Sequence, residues 1–193
     1  MGTTDADRRA QQFTMAKRLK AVVIVLAVLG GFATVGVIGF RFMVPRIFGT
    51  STTFFYDNGG GVEYSQNMAL YHGLVGYSVF TLFAAAMCYK ILWHFWHVCT
   101  EIGRDNSFSA ENYRSFHKMA NTSFVISGSY ALKLAFIGGR MLLLSHAVVE
   151  TVCVSCVIFA GLVAFLLFGI ICEALSKLIQ NAYEIKAEND LTI

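Results

Sequence analysis

The sequence has few charged residues and almost no proline. Charged residues make up 14% of the 193 residues, hydrophobic residues make up 56%, and there is a single proline. Soluble domains average about 25% charged residues, so this composition does not fit a soluble domain. Disordered chains lack such a large apolar fraction, so disorder is excluded as well. With one proline to interrupt helices, we expect an all-α fold.

Several functional classes are also disfavoured by what is missing. A net charge of +3 is too small to indicate direct nucleic-acid binding. The five cysteines lie mostly in apolar runs, which argues against a secreted disulfide framework. The local signatures of P-loop proteins, zinc proteases, serine hydrolases and dinucleotide-binding enzymes are missing. We therefore predict a protein that is not an enzyme, with no catalytic residue, metal or cofactor.

Long apolar runs are abundant, and a bilayer's hydrocarbon core needs about 20 such residues per helix. The predicted spans cover residues 21–40, 69–92, 119–144 and 150–173. The run at 119–144 is the least uniform, because Lys133 and Arg140 interrupt it. Small residues such as Gly128 and Gly161 would let helices approach closely. The sequence predicts a polytopic four-helix membrane bundle that forms a single domain over residues 1–193.

Lys and Arg residues are unevenly distributed around these spans. Of the 15 Lys and Arg residues, 11 flank the spans on the side of the N-terminal segment, the turn at 103–112 and the tail at 174–193. On the other side there are only Arg41, Arg46 and Arg140, and Lys133 lies inside a span. Cytoplasmic flanks retain such residues, so both termini are predicted to be cytoplasmic and the loop at 41–68 to lie outside. The first span is predicted to be a retained anchor, since its apolar part is too long for a signal peptide.

The segments between the spans have their own local patterns. In the outer loop, Thr52 to Tyr56 and Val62 to Tyr64 flank a run of glycines, which predicts a small hairpin. In the cytoplasmic turn, Gly103 is predicted at the C′ position of a helix and Ser109 at the N-cap of the next. Leu175, Leu178, Ile179, Ala182 and Ile185 recur at helical spacing, so a cytoplasmic amphipathic helix is expected after the last span.

Two of these segments resemble a known family. The run Gly103 to Asn112, Gly-Arg-Asp-Asn-Ser-Phe-Ser-Ala-Glu-Asn, is similar to the G-x-P-F-S-x-E-N turn of the bacterial membrane proteins in domain-of-unknown-function family 2975. Ser107 stands where that family often has proline. The ending Glu188 to Ile193 resembles the ending of that family. The resemblance implies a small four-helix protein of the bacterial inner membrane that is often encoded beside a cytoplasmic helix-turn-helix regulator.

The matched segments lie on the same predicted side of the membrane, so we expect them to meet in one docking surface. Its residues are Phe108, Ser109, Glu111, Asn112, Glu188, Asn189, Asp190 and Leu191. The role that follows is a non-catalytic, regulatory or sensory membrane partner of the helix-turn-helix protein. A plainer interpretation stays open, in which Ser109 and Asn112 only cap a helix.

Charged residues in or near the spans offer an alternative function. They are Lys90, Lys133, Arg140, Glu150 and Glu173, and such residues cost a few kcal/mol in lipid unless they are paired. We expect structural pairs, for example between Lys90 and Glu173. The alternative is a channel or carrier subunit, which with four spans would have to form a homo-oligomer.

Cysteine and histidine patterns allow two further interpretations. Cys153 and Cys156 form a C-x-x-C at the outer end of the last span, as in membrane thiol oxidases, but the outer loop holds no second pair. Haem ligation by paired histidines is conceivable. His72 and His94 are 22 residues apart, about 33 Å along a helix, which places the histidines at headgroup level rather than in the hydrocarbon.

Overall fold

A computed structural model describes the backbone of residues 5–47, 62–104, 106–143 and 148–191. Side chains are described over residues 10–39, 78–104, 106–139, 152 and 154–189. Four helices occupy these ranges, and the described residues contain no strand. They are α1 (Asp5–Ile47), α2 (Val62–Gly103), α3 (Ala110–Leu143) and α4 (Val148–Leu191). The all-α prediction is confirmed.

The helices are much longer than the predicted spans. α1 has 43 residues and α4 has 44, which at about 1.5 Å per residue is roughly twice the ~30 Å of a bilayer's hydrocarbon core. Charge-free runs therefore located the apolar middle of each helix and not its ends. A helix continues past its apolar middle because its backbone hydrogen bonds stay satisfied within the helix.

The hairpin prediction fails in its second arm. Val62 to Tyr64 form the first turn of α2 and are not a strand. The first arm, Thr52 to Tyr56, and the glycine turn lie outside the described residues. β-branched and aromatic residues beside glycines are only a weak signal for a strand. In Val62 to Tyr64 the helical pattern of the residues that follow outweighs this signal.

Three helical segments in the described part of the chain are long and apolar enough to cross a membrane. They are Ala10–Gly39 of α1, Ser78–Gly103 of α2 and Val154–Asn189 of α4. Their large apolar side chains are turned outward: Phe32 is 73% exposed and Val157 is also 73% exposed. Such surfaces suit lipid and not water. These features indicate a multi-pass membrane protein. The crossing predicted for α3 at 119–144 stays a prediction.

The chain divides into two compact units. The first comprises residues 1–24 and 87–193, and the second comprises residues 25–86. The second unit consists, in its described part, of the remainder of α1 and the beginning of α2. The first unit holds α3 and α4 with the adjoining ends of α1 and α2. The assignment of the chain to a single domain and the four-helix bundle both stay predictions.

Within the first unit, α3 and α4 pack side by side in antiparallel orientation. Tyr113 near the start of α3 accepts a hydrogen bond at its carbonyl oxygen from Ser176 Oγ, at 2.8 Å. Farther along, the ring of Tyr130 stacks on Phe165 with 5.9 Å between centroids and lies against Gly161. A methyl group on Gly161 would be 3.1 Å from that ring. The buried core around this pair consists of Ile91, Met119, Ala120, Ile126 and Cys172.

The end of α4 continues as the predicted tail helix, but two of its large apolar residues face away from the protein, and Ile179 and Ala182 are half-buried. Leu178 is 61% exposed and Ile185 is 60% exposed. The side of α4 that faces α3 carries Ser176 and Tyr183 instead. Helical spacing alone cannot tell which side of a helix meets a neighbour. The amphipathic character of this segment therefore stays a prediction.

Candidate functional site

The turn between α2 and α3 is held by the last turn of α2. The carbonyl oxygen of Glu101 accepts hydrogen bonds from the backbone N–H groups of Arg104 and Asn106, at 3.0 and 3.1 Å. The Glu101 carboxylate, whose residue is 8% exposed, accepts bonds from Arg104 Nη1 and Asn106 Nδ2, each at 3.1 Å. Its charge is paired, as the burial of a carboxylate requires. One residue thus fixes both the backbone and the side chains of the turn.

Gly103 ends α2 for a reason other than the predicted one. Its φ lies outside the left-handed region, and it is the last helical residue instead of the C′ residue. A Cβ atom at this position would lie 3.1 Å from Ala16 Cβ of α1. The glycine therefore allows α2 to pack closely against Ala16, a contact that no local turn pattern reveals.

Asn112 fastens the turn from the other side. Its residue is 1% exposed, and Nδ2 donates to the carbonyl oxygens of Asn106 and Ser107, at 3.3 and 2.8 Å. Its Oδ1 has no hydrogen-bond partner among the described residues. Through its bonds to these two carbonyl groups, Asn112 holds the loop against the first turn of α3.

Ser109 is the N-cap of α3, as predicted. Its Oγ accepts a hydrogen bond from the backbone N–H of Asn112 at 3.2 Å, and its carbonyl accepts from the N–H groups of Asn112 and Tyr113. Glu111 lies in the first turn, where the helix dipole favours a negative charge. The cap predicted for Ser109 is confirmed, whereas the side chain of Asn112 binds loop carbonyl groups and does not cap the helix. A capping role leaves the docking role of this segment open.

The C-terminal part of α4 runs beside this turn and forms an open cleft with it. The rings of Tyr113 and Tyr183 lie 6.5 Å apart between centroids, which places α4 alongside the start of α3. The cleft has a volume of about 480 Å³. Its walls include Phe108, Ser109 and Glu111 from the turn and Tyr183, Lys186 and Ala187 from α4. Glu101 in the last turn of α2 and Arg104 just after it also line the cleft.

The predicted docking residues are thus only partly brought together. Phe108, Ser109 and Glu111 line the cleft, whereas Asn112 holds the turn behind it. Glu188 and Asn189 are exposed on α4, just beyond the stretch that lines the cleft. The side chains of Asp190 and Leu191 lie outside the described residues. α4 meets the turn through Tyr183 and Lys186, about one helical turn earlier than predicted.

Among the charged residues near the spans, Glu173 contacts a histidine and not the expected Lys90. The Glu173 carboxylate contacts Nδ1 of His117 at 2.9 Å, and Nε2 of His117 contacts Asn121 Nδ2 at 3.2 Å. His117 thus links α3 to α4 at the place where Lys90 was expected. Lys133 is half-buried. The side chains of Arg140 and Glu150 lie outside the described residues.

The cysteines and histidines do not assemble a redox or metal centre in the described part of the chain. Cys156 is exposed and is not in a disulfide, and the side chain of Cys153 is not among those described. No group of three His, Cys, Asp or Glu side chains there could hold a metal ion. Of the two histidines named for haem ligation, the side chain of His72 also lies outside the described residues.

Sequence reasoning missed several residues of this site. The turn is built by Glu101 and Asn106. The cleft is lined on the α4 side by Tyr183 and Lys186. Glu101 gave one usable signal, since an acidic residue just before a helix end can accept bonds from the turn that follows. Tyr183 and Lys186 gave none, because their place depends on how α4 packs against α3.

Comparison with known proteins gives one family match. Residues 61–193 match the model of the family described as "Protein of unknown function (DUF2975)". The match includes α2, the turn, α3 and α4. No curated protein and no solved structure matches this chain.

Proposed function

Because the chain belongs to the DUF2975 family of proteins of unknown function, we propose a function from the geometry of the cleft. The protein is a non-catalytic regulatory or sensory component of the bacterial inner membrane. It binds a cytoplasmic helix-turn-helix regulator at a docking surface made by the turn and α4. The observation that carries this proposal is the open cleft between Phe108 and Lys186, two residues that are distant in sequence.

The chemistry of the cleft suits a protein partner. Phe108 is 51% exposed at its edge, and Tyr183 is 39% exposed. Exposed aromatic side chains that border polar groups are frequent centres of binding energy in protein interfaces. Glu111 and Lys186 supply charges of both signs beside them. A partner surface with an apolar pocket and mixed charges would be complementary to this arrangement.

The turn that forms one wall of the cleft is held by hydrogen bonds of buried side chains. Glu101 and Asn112 tie the loop to the ends of α2 and α3 through hydrogen bonds with little exposure to water. A surface that is already ordered loses less entropy on binding than a mobile loop would. The polar groups of the turn are engaged in this structural task, which favours binding over catalysis as the role of the cleft.

The distribution of Lys and Arg residues supports a cytoplasmic location for this surface. Lys and Arg residues flank the spans on the side of the turn and the tail, which supports cytoplasmic N- and C-termini. A DNA-binding regulator would meet the membrane protein on that side. Binding would hold the regulator at the membrane and away from DNA until a signal released it.

The test compares two exposed phenylalanines in the same unit. Wild type, Phe108→Ala and Phe13→Ala are each co-expressed with the helix-turn-helix protein encoded beside the gene, and affinity is measured on the purified proteins in detergent. Phe13 is 54% exposed on α1 and is the matched control. Loss of an interface aromatic weakens binding by about 30-fold, so Phe108→Ala should lose the regulator and Phe13→Ala should keep it. Wild-type affinity in Phe108→Ala, or no binding by the wild type, would show the proposal to be wrong.

A further inference from the structure

A second feature of the first unit is a group of basic side chains shared by α2 and α3. Lys90, His94 and His97 are spaced by four and three residues, so they lie on one face of α2. Lys118 of α3 acts electrostatically on His94, together with Lys90 and His97. Lys90, His97 and Lys118 are exposed, and His94 is half-buried. We name these four residues the basic patch.

The basic patch has no acidic counterpart in the described part of the chain. The charged groups that act on His94 are all basic, and no ion pair among the described residues includes a member of the patch. The carboxylate of Glu173, which the sequence offered as a partner for Lys90, contacts His117 instead. Like charges held together repel each other, so an external anion would stabilise this arrangement.

An exposed indole lies at the edge of the basic patch. Trp93 is 64% exposed, and its ring meets the ring of His97 edge-on, with centroids 5.4 Å apart and an angle of 76°. Tryptophan collects at the membrane–water boundary, where one end of the indole is in an apolar environment and the other is wet. The three members of the patch on α2, Lys90, His94 and His97, also lie in Ser78–Gly103, one of the segments able to cross a membrane.

These observations together identify the ligand chemistry. We propose that the basic patch binds the phosphate group of an anionic phospholipid headgroup, with Trp93 packed against the lipid. Lysine side chains can extend along the helix toward the headgroup region while their aliphatic parts stay in an apolar environment. Imidazole N–H groups supply further donors to the phosphate oxygens. A free inorganic phosphate offers the same oxygens but lacks the acyl chains that an exposed indole would contact.

The experiment measures lipid binding to the full-length protein in detergent by native mass spectrometry. Phosphatidylglycerol and phosphatidylcholine are titrated separately. The double variant Lys90→Gln/Lys118→Gln should bind phosphatidylglycerol about 30-fold more weakly, taking about fivefold for each lysine near an anionic surface. Lys90→Arg/Lys118→Arg should keep wild-type binding because the charges are retained.

A matched control removes two other exposed lysines, Lys17 and Lys177, by substitution with Gln. This control should keep the tight phosphatidylglycerol site. If Lys17→Gln/Lys177→Gln loses as much phosphatidylglycerol binding as Lys90→Gln/Lys118→Gln, the lipid responds to the overall positive charge and not to the basic patch, and the proposal is overturned. Wild-type binding in Lys90→Gln/Lys118→Gln would also overturn it. Displacement of the lipid by an equal concentration of inorganic phosphate would assign the site to free phosphate and would also overturn it. Should the double variant not fold, Lys118→Gln alone should show a fivefold loss, and wild-type binding by it would refute the proposal.

Discussion

Replacement of Asn112 by alanine removes two side-chain hydrogen bonds that hold the turn between α2 and α3. The side chain donates two hydrogen bonds, at 2.8 Å to Ser107 O and at 3.3 Å to Asn106 O. A hydrogen bond of this kind contributes about 0.5–1.5 kcal/mol net. Loss of Oδ1 costs little, because that atom has no partner among the described residues. We therefore expect the opening free energy of the turn to fall by about 2 kcal/mol, which makes opening about 30-fold more frequent.

Aspartate at position 112 should be worse than alanine. The carboxylate has nearly the same size as the amide but cannot donate, and it would place a negative charge against two carbonyl oxygens. The residue is 1% exposed, so water would not screen this contact. Leaving a charge buried without a partner costs about 3–5 kcal/mol. The order wild type, Asn112→Ala, Asn112→Asp is thus the expected ranking of stability.

The assay is hydrogen exchange by mass spectrometry on peptides that cover residues 106–113, with the protein in detergent. Asn121→Ala is the control. Asn121 lies on the same helix as Asn112, but it is exposed, and its Nδ2 contacts Nε2 of the exposed His117 and not the turn. Exchange in the control should match the wild type in this peptide. The reasoning is refuted if Asn112→Ala exchanges at the wild-type rate, or if Asn112→Asp is as protected as Asn112→Ala.

Two further predictions concern the packing of α3 and its N-cap. Gly169→Ala would put a methyl group 2.8 Å from the ring of Phe124, so we expect a loss of about 1–3 kcal/mol in thermal unfolding in detergent. Gly128→Ala is its control, because nothing lies within 4 Å of that position; equal unfolding temperatures for the two variants would contradict the contact. Ser109→Ala removes the cap on the Asn112 N–H and should destabilise the start of α3 by about 1 kcal/mol, seen as faster exchange there, whereas Ser109→Gly should cost only a few tenths. Equal protection in Ser109→Ala and the wild type would show that the cap is not needed.

The start of α3 was predictable because its signals are local. Ser109 followed by Glu111 is a typical helix start. The structure contains the expected bond, in which the N–H of Asn112, three residues on, donates to Ser109 Oγ, and it has Glu111 in the first turn. The apolar middle of α1, α2 and α4 was predictable for a similar reason, since hydrophobic length is a property of a continuous segment.

The partners of polar side chains were not predictable in the same way. His117 and Glu173 are 56 residues apart, and their contact depends on the register of α3 against α4. Lys90 was an equally reasonable partner for Glu173 by charge alone. Gly103 shows the same effect, because its close neighbour is Ala16 on another helix.

The sequence by itself determined the helical class, the three apolar segments able to cross a membrane and the cap of α3, because each depends on neighbours a few residues away. Only the tertiary structure decided that Tyr183 and Lys186 face Phe108 across a cleft, and that Leu178 and Ile185 turn away from the protein. The physical reason is that a helix can present any side to its neighbour. The side it presents is selected by packing along its whole length, here by small residues such as Gly161 and Gly169 that let α3 come close.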